Sequence, residues 1–112
     1  MIIEFRAWDR EEKKMVGWGS IMADFVYYYA NINFVLMQYT GRGDKAGKNI
    51  YKGDIVSLEG QSINYEVKWD ENDASFYLEC LTEENPTSFV FYDDEDIEIL
   101  GNIHQNPELI AG

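Results

Sequence analysis

Apolar and polar residues alternate over short runs along most of this chain, and clusters of Gly, Asp, Asn and Ser separate the runs. Alternation with period two places one set of side chains on each face of a strand. Near the start, Ile3, Phe5 and Ala7 would share one face, and Ile2, Glu4, Arg6 and Trp8 the other. The polar run Asp9 to Lys14 reads as a hairpin turn, and Met15, Val16 and Trp18 as the returning strand, with Gly17 and Gly19 marking a bulge or bend. A helix over residues 9–16 would have no apolar stripe to bury. Phe25-Val26-Tyr27-Tyr28-Tyr29 favours a strand, Asn31 to Asn33 a turn, and Phe34 to Tyr39 a further strand with Val35, Met37 and Tyr39 on one face. No charge falls between Asp24 and Arg42, so this run needs cover from the rest of the fold or from a partner chain.

Three turn signals follow closely, at Gly41-Arg42-Gly43, Asp44-Lys45-Ala46-Gly47 and Lys52-Gly53-Asp54. The second has the chemistry of a type I turn closed by a left-handed glycine: Asp44 accepts from its own backbone, and Gly47 takes positive φ. Gly53-Asp54 launches a strand over Ile55 to Leu58. Glu59 to Ser62 is a turn, and Ile63 to Trp69 alternates most clearly, with Ile63, Tyr65, Val67 and Trp69 on one face. Asp70 to Asp73 turns the chain back into Phe76 to Leu81. Thr82 to Thr87 is a loop, Phe89 to Tyr92 a strand and Asp93 to Asp96 an acidic turn. Ile97 to Ile103 then alternates, with Ile97, Ile99, Gly101 and Ile103 on one face. Asn106 before Pro107 is placed to cap one helical turn over Pro107 to Ile110. Strands at roughly eight- to twelve-residue intervals joined by tight turns mean an all-β barrel or sandwich. The expectation is one domain over residues 1–112. An N-terminal β layer spans 1–40, and a β-meander or SH3-like barrel spans 41–112, with Gly53 to Leu81 as its three-stranded meander. The turn-rich stretch joins the two.

A chain of 112 residues with 46% apolar and 15% aromatic residues can build a packed core without staples. Cys80 is the only cysteine, which excludes an internal disulfide and a cysteine-based zinc site, and its strand-like surroundings give it a buried structural role. The start MIIEFRAWDR lacks a basic segment ahead of a long apolar one, and no apolar run approaches a membrane span, so the expected location is cytoplasmic. The net charge of −12 is uneven: residues 1–52 carry eight bases and six acids (+2), and residues 53–112 one base and fifteen acids (−14). The second half would repel a nucleic-acid backbone.

Candidate chemistry is sparse. Ser20, Ser57, Ser62, Ser75 and Ser88 stand in no nucleophile-elbow motif, and the one histidine, His104, lies beside the Asn106-Pro107 break. The Asp93–Asp96 and Asp70–Asp73 clusters lack the alternation and the glycine of a calcium loop. The glycines at 41, 43, 47 and 53 lack the phosphate-loop spacing and its strand-to-helix context. Arg42-Gly43-Asp44 is read as a coincidental adhesion tripeptide. Trp8, Trp18, Tyr39 and Tyr51 stand near Arg6, Arg42 and Lys48, the ingredients of a single-strand-binding surface, but a small β domain needs its aromatics in the core. No catalytic, cofactor-binding or metal-ligating residue is assigned, and no cofactor is expected.

Several segments together resemble the YopX family of small proteins, typically encoded by phages and prophages of Gram-positive bacteria. They are Phe5-Arg6-Ala7-Trp8-Asp9, Leu36-Met37-Gln38-Tyr39-Thr40-Gly41, Asp44-Lys45-Ala46-Gly47-Lys48, Ile50-Tyr51-Lys52-Gly53-Asp54-Ile55-Val56, and Gly101 to Leu109 with its Asn106-Pro107-Glu108-Leu109 tail. Arg42-Gly43 departs from the Leu-Lys-like pair that often follows Thr-Gly in the family. The positions singled out as turn and family-motif residues are Trp8, Tyr39, Gly41, Asp44, Gly47, Gly53, Asp54, Gly101, Asn106 and Pro107. The resemblance implies irregular, coiled β-sheets and self-association, and it carries no catalytic residues.

The functional expectation is a non-enzymatic phage or prophage accessory protein that acts by protein–protein interaction and forms a homo-oligomer. A basic host or phage protein is a further partner class. The alternatives are an acidic nucleic-acid mimic that occupies a host protein's site, and single-strand binding through the N-terminal half.

Overall fold

A computed structural model describes residues 3–61, 63–81, 87–88 and 92–110. The architecture is mainly β: among the described residues there are two antiparallel sheets, one of them curled into a half-barrel, with two short helices and two 3-10 turns.

The first sheet has the order β2-β1-β3-β4, built from β1 (Phe5–Asp9), β2 (Lys14–Val16), β3 (Phe34–Gly43) and β4 (Asn49–Tyr51). The β1–β2 turn is anchored by Asp9, whose Oδ1 accepts from the backbone N–H groups of Glu11 and Glu12 and from Asn33 Nδ2. Strand β3 runs four residues past the expected end at Tyr39. The Gly41-Arg42-Gly43 signal is therefore a bulge within a strand: Gly41 has φ +87° and the pairing shifts between Tyr39↔Tyr51 and Gly43↔Asn49. The Asp44–Gly47 turn forms as expected, with Gly47 at φ +80° and its N–H on the Asp44 carbonyl at 2.9 Å.

The returning strand forms as β2 but stops at Val16, and the expected strand over Phe25 to Tyr29 is a helix instead. Trp18 and Gly19 belong to α1 (Trp18–Ala23), and the aromatic run forms α2 (Phe25–Ala30). Strand propensity yields here to what each side chain meets. Trp18, Ile21, Phe25 and Tyr28 recur at three- and four-residue spacing. Trp18 and Phe25 pack on Phe5, Ile21 is fully buried, and Tyr28 meets Phe34 edge-on at 4.8 Å. A strand would have sent alternate members of this set away from the sheet.

The second sheet has the order β8-β7-β6-β5-β9: β5 (Asp54–Leu58), β6 (Asn64–Asp70), β7 (Ser75–Cys80), β8 (Thr87–Ser88) and β9 (Ile97–Asn102). Sheets change at Lys52-Gly53, where Gly53 turns at φ +91°. Strand β5 lies between β6 and β9, and its apolar residues Ile55, Val56 and Leu58 are all buried. The core unites Val56, Leu58, Tyr65, Val67, Leu78, Cys80 and Ile97 with Ile50 of the first sheet, so β4 packs a side chain into the core of the second sheet. In β9 the expected alternation breaks. Ile55 pairs with Gly101 but Val56 with Ile99, so Leu100 is a bulge residue, and Asn102 rather than Ile103 takes the buried position. Asn106 stands at the N-cap of the last turn as expected, but its side chain makes no capping bond there. Pro107–Leu109 is a 3-10 turn, and the Asn106 side chain reaches back to the Asn102 N–H. The expected Thr82–Thr87 loop, the strand at 89–92 and Ser62 fall largely or wholly outside the described residues.

Candidate functional site

The stretch from Asp44 to Asp54 is a seam between the sheets, held by two buried carboxylates. Asp44 Oδ1 accepts from the N–H groups of Ala46 and Lys48 at 2.9 Å, and its Oδ2 from Ile99 N–H in the second sheet at 3.1 Å. Burial works against its ionised form, but these three donors outweigh that and hold the carboxyl below its ordinary range. Asp54, at 1% exposure, accepts from Tyr51 N–H through Oδ2 and from Arg6 Nη2 through Oδ1 at 2.6 Å. Burial pushes the Asp54 carboxyl up, and the Arg6 charge draws it part of the way back. The Arg6 guanidinium also lies 4.7 Å from the Tyr51 ring centre, and the Tyr51 hydroxyl donates to Glu4. Burial and then the Glu4 carboxylate push the phenol up to about 12.

A second polar knot closes the C-terminal turn. Asn102 Oδ1 accepts from the N–H groups of His104 and Gln105, its Nδ2 donates to Gln105 Oε1, and its own N–H donates to Asn106 Oδ1. The Asn106 side chain occupies the space a Cβ on Gly101 would need. His104 stacks on Trp8 of the first sheet, with ring centres 5.6 Å apart. Burial, followed by the charges of Arg6 and Arg10, pushes His104 below its ordinary value.

The motif residues thus divide. Trp8, Asp44, Gly53, Asp54, Gly101 and Asn106 gather at the seam, whereas Gly41 and Gly47 shape β3 and its turn. Tyr39 rests on Tyr51, with ring centres 5.6 Å apart, and Pro107 starts the last 3-10 turn. Arg6 and Asn102 organise this region; the sequence offers Arg6 only as a base near aromatics and does not single out Asn102. The signal for Arg6 was a lone base in an alternating strand followed by one buried-strand carboxylate, which is weak. Between the two knots lies an open cavity lined by Arg6, Lys48, Asp54, Asn102, Gln105 and Asn106 among others.

A different surface forms over the first sheet. Among the described residues, seven of the nine exposed large apolar side chains lie between Ile3 and Ile32, against only Leu100 and Ile110 elsewhere. Val26 is 73% exposed, Tyr29 72% and Ile32 88%. Tyr29 stacks on Phe25 at 5.9 Å, and Phe25 rests on Phe5 at 5.6 Å, so the exposed ring continues an aromatic column from the sheet. Cys80 is buried, and no group of three metal-ligating side chains occurs among the described residues. No helix among them is long and apolar enough to cross a membrane.

Residues 19–111 match the model of a family described as YopX protein. The fold is similar to the crystal structure of protein EF1440 from Enterococcus faecalis, at 27% identity and a TM-score of 0.71, covering 98% of this chain and 99% of that one. It is also similar to the crystal structure of protein yopX from Bacillus subtilis, at 20% identity and a TM-score of 0.55, covering 95% and 96% of the two chains. No curated protein matches the sequence.

Proposed function

This chain belongs to the YopX protein family, and on that premise we propose that it is a non-enzymatic phage or prophage accessory protein that works by binding other proteins, beginning with a second copy of itself. The carrying observation is the apolar face of α1, α2 and the turn after them. Val26, Tyr29 and Ile32 are each more than 70% exposed in a segment without a charge from Phe25 to Gly41. Contiguous apolar surface of this kind marks an interaction site. A recess of about 380 Å³ between β2 and α2 adjoins it, with Asp9, Lys14 and Ser20 in its lining beside Val16, Tyr28 and Phe34. Charge favours a second copy as the occupant. Two chains meeting through the halves that carry +2 keep the halves that carry −14 apart.

Single-strand binding draws less support, because three of the eight bases in the first half are held in ion pairs and one of its aromatics is packed. Arg6 pairs with Asp54, Arg42 with Asp94 and Lys45 with Glu98, and Trp8 is stacked on His104. The acidic-mimic reading retains the exposed Asp93, Asp94 and Glu95 as its support.

Sedimentation velocity tests the self-association. The expected result is a dimer or larger species at micromolar concentration, and a monomer for Val26→Glu/Tyr29→Glu with an unchanged melting temperature. A wild-type monomer at about 100 μM, a concentration at which a Kd of 1 μM would leave few monomers, overturns the reading.

A further inference from the structure

Segments that are far apart in sequence meet at one open cavity of about 280 Å³ at the seam: Arg6 from β1, Lys48 before β4, Asp54 opening β5, and residues 99–102 and 105–106. Its polar groups are unevenly used. Both Asp54 oxygens are engaged, by Arg6 and by Tyr51 N–H. The side-chain oxygens of Asn102, Gln105 and Asn106 all accept hydrogen bonds within the C-terminal turn. Donors are left over. Arg6 uses only Nη2, for Asp54 and the Met37 sulfur, and its Nε is closed off from solvent without a partner, whereas Nη1 is neither bonded nor buried. Lys48 takes part in none of the four ion pairs among the described residues, and Gln105 Nε2 has no partner there. The Asn106 amide makes only a long 3.4 Å contact to Glu108.

The cavity therefore offers unspent donors and few free acceptors. Its charged lining is two cations against one carboxylate, in a chain of net charge −12. A free guanidinium nitrogen, an ammonium and side-chain amides lining one cavity are groups that recognise oxyanions. We propose that this cavity binds the phosphate or carboxylate group of a small molecule, with Arg6 Nη1, Lys48 Nζ and the side-chain amides of Gln105 and Asn106 as donors. Lys48 also lies near the Asp44 carboxylate, but Asp44 already accepts three backbone bonds. Its charge is thus shared electrostatically without being tied up in a contact.

The test is an amide-resolved NMR titration of the full chain with inorganic phosphate and with acetate, at ionic strength held constant with chloride. Saturable shifts at Lys48, Asn49 and residues 99–106, with a Kd of about 1 mM or tighter, are expected for at least one of the two. Tighter phosphate binding identifies a phosphate ligand, and tighter acetate binding a carboxylate. Lys48→Gln and Gln105→Glu change exposed side chains and should melt as wild type does, but each should weaken binding by about tenfold. Shifts that drift without saturating to about 50 mM overturn the proposal. So do shifts reproduced by chloride alone, or an affinity that Lys48→Gln leaves unchanged.

Discussion

Replacing Arg6 by Met should be among the most damaging single changes in this protein, although Arg6 is one base in a short strand, flanked by Phe5 and Ala7. Its partner Asp54 is 1% exposed and has no second cation within bonding distance among the described residues. Removing one member of a buried pair leaves the other charge uncompensated, at a cost of about 3–5 kcal/mol. With about 2.1 cal/mol/K of unfolding entropy per residue, a chain of 112 residues would lose roughly 13–21 °C of melting temperature. The reverse change, Asp54→Asn, should be milder, at about 1–2 kcal/mol. The amide oxygen can still accept from Tyr51 N–H, and Arg6 keeps the Tyr51 ring and its open Nη1. Arg6→Met/Asp54→Asn should therefore be more stable than Arg6→Met alone.

The sign with pH follows from the same site. Burial already raises the Asp54 carboxyl, and losing Arg6 removes the leading influence that lowers it. A raised folded pKa stabilises the fold as pH falls through it. The deficit of Arg6→Met relative to wild type should thus shrink between pH 7 and pH 5. Urea titrations of the four proteins at both pH values measure each quantity. A loss below about 1 kcal/mol at pH 7, a deficit that does not change with pH, or a double variant as unstable as Arg6→Met would refute this account of the seam.

Two further changes probe the C-terminal turn. Gly101→Ala places a Cβ on the Asn106 side chain and should cost about 2–3 kcal/mol in a urea melt; truncating the obstruction in Gly101→Ala/Asn106→Ala should restore part of it, and no loss in the single variant would contradict the geometry. His104 has a lowered folded pKa and a buried Nε2 without a partner, so the unfolded chain binds the proton more tightly, and stability should fall as pH drops below about 6.5 toward the folded value. His104→Phe keeps a ring against Trp8 and should flatten that part of the stability–pH curve; an unchanged slope assigns it to other groups.

Where period-two alternation had a single face to bury, the sequence was readable. Tyr65 and Val67 in β6, the Asp44–Gly47 turn and the Gly53 bend all follow from local chemistry. The helices were missed because β-branched and aromatic residues dominate residues 25–29. Yet Trp18, Ile21, Phe25 and Tyr28 carry a helical period that alternation obscured. The β9 bulge at Leu100 could not be seen locally, since it exists only in the pairing with Ile55 and Val56. The seam was legible as a join but not as a network. Nothing near Arg6 in the sequence indicates that its partner is 48 residues away, and such pairings are set by tertiary packing.

The placement of β5 also governs the order of events in folding. Its Leu58 pairs with Ile97 and its Asp54 with Asn102, so one whole side of this interior strand stays open until the last strand arrives. Closing loops of that length takes entropy before any contact repays it, which slows folding and lengthens the life of open intermediates. During synthesis Ile55, Val56 and Leu58 leave the ribosome tens of residues before β9 does, with one edge unpaired throughout. The dense carboxylates of the intervening chain, from Glu59 to Asp96, then serve the nascent protein as well as the finished one, because like-charged chains resist stacking edge to edge while they wait.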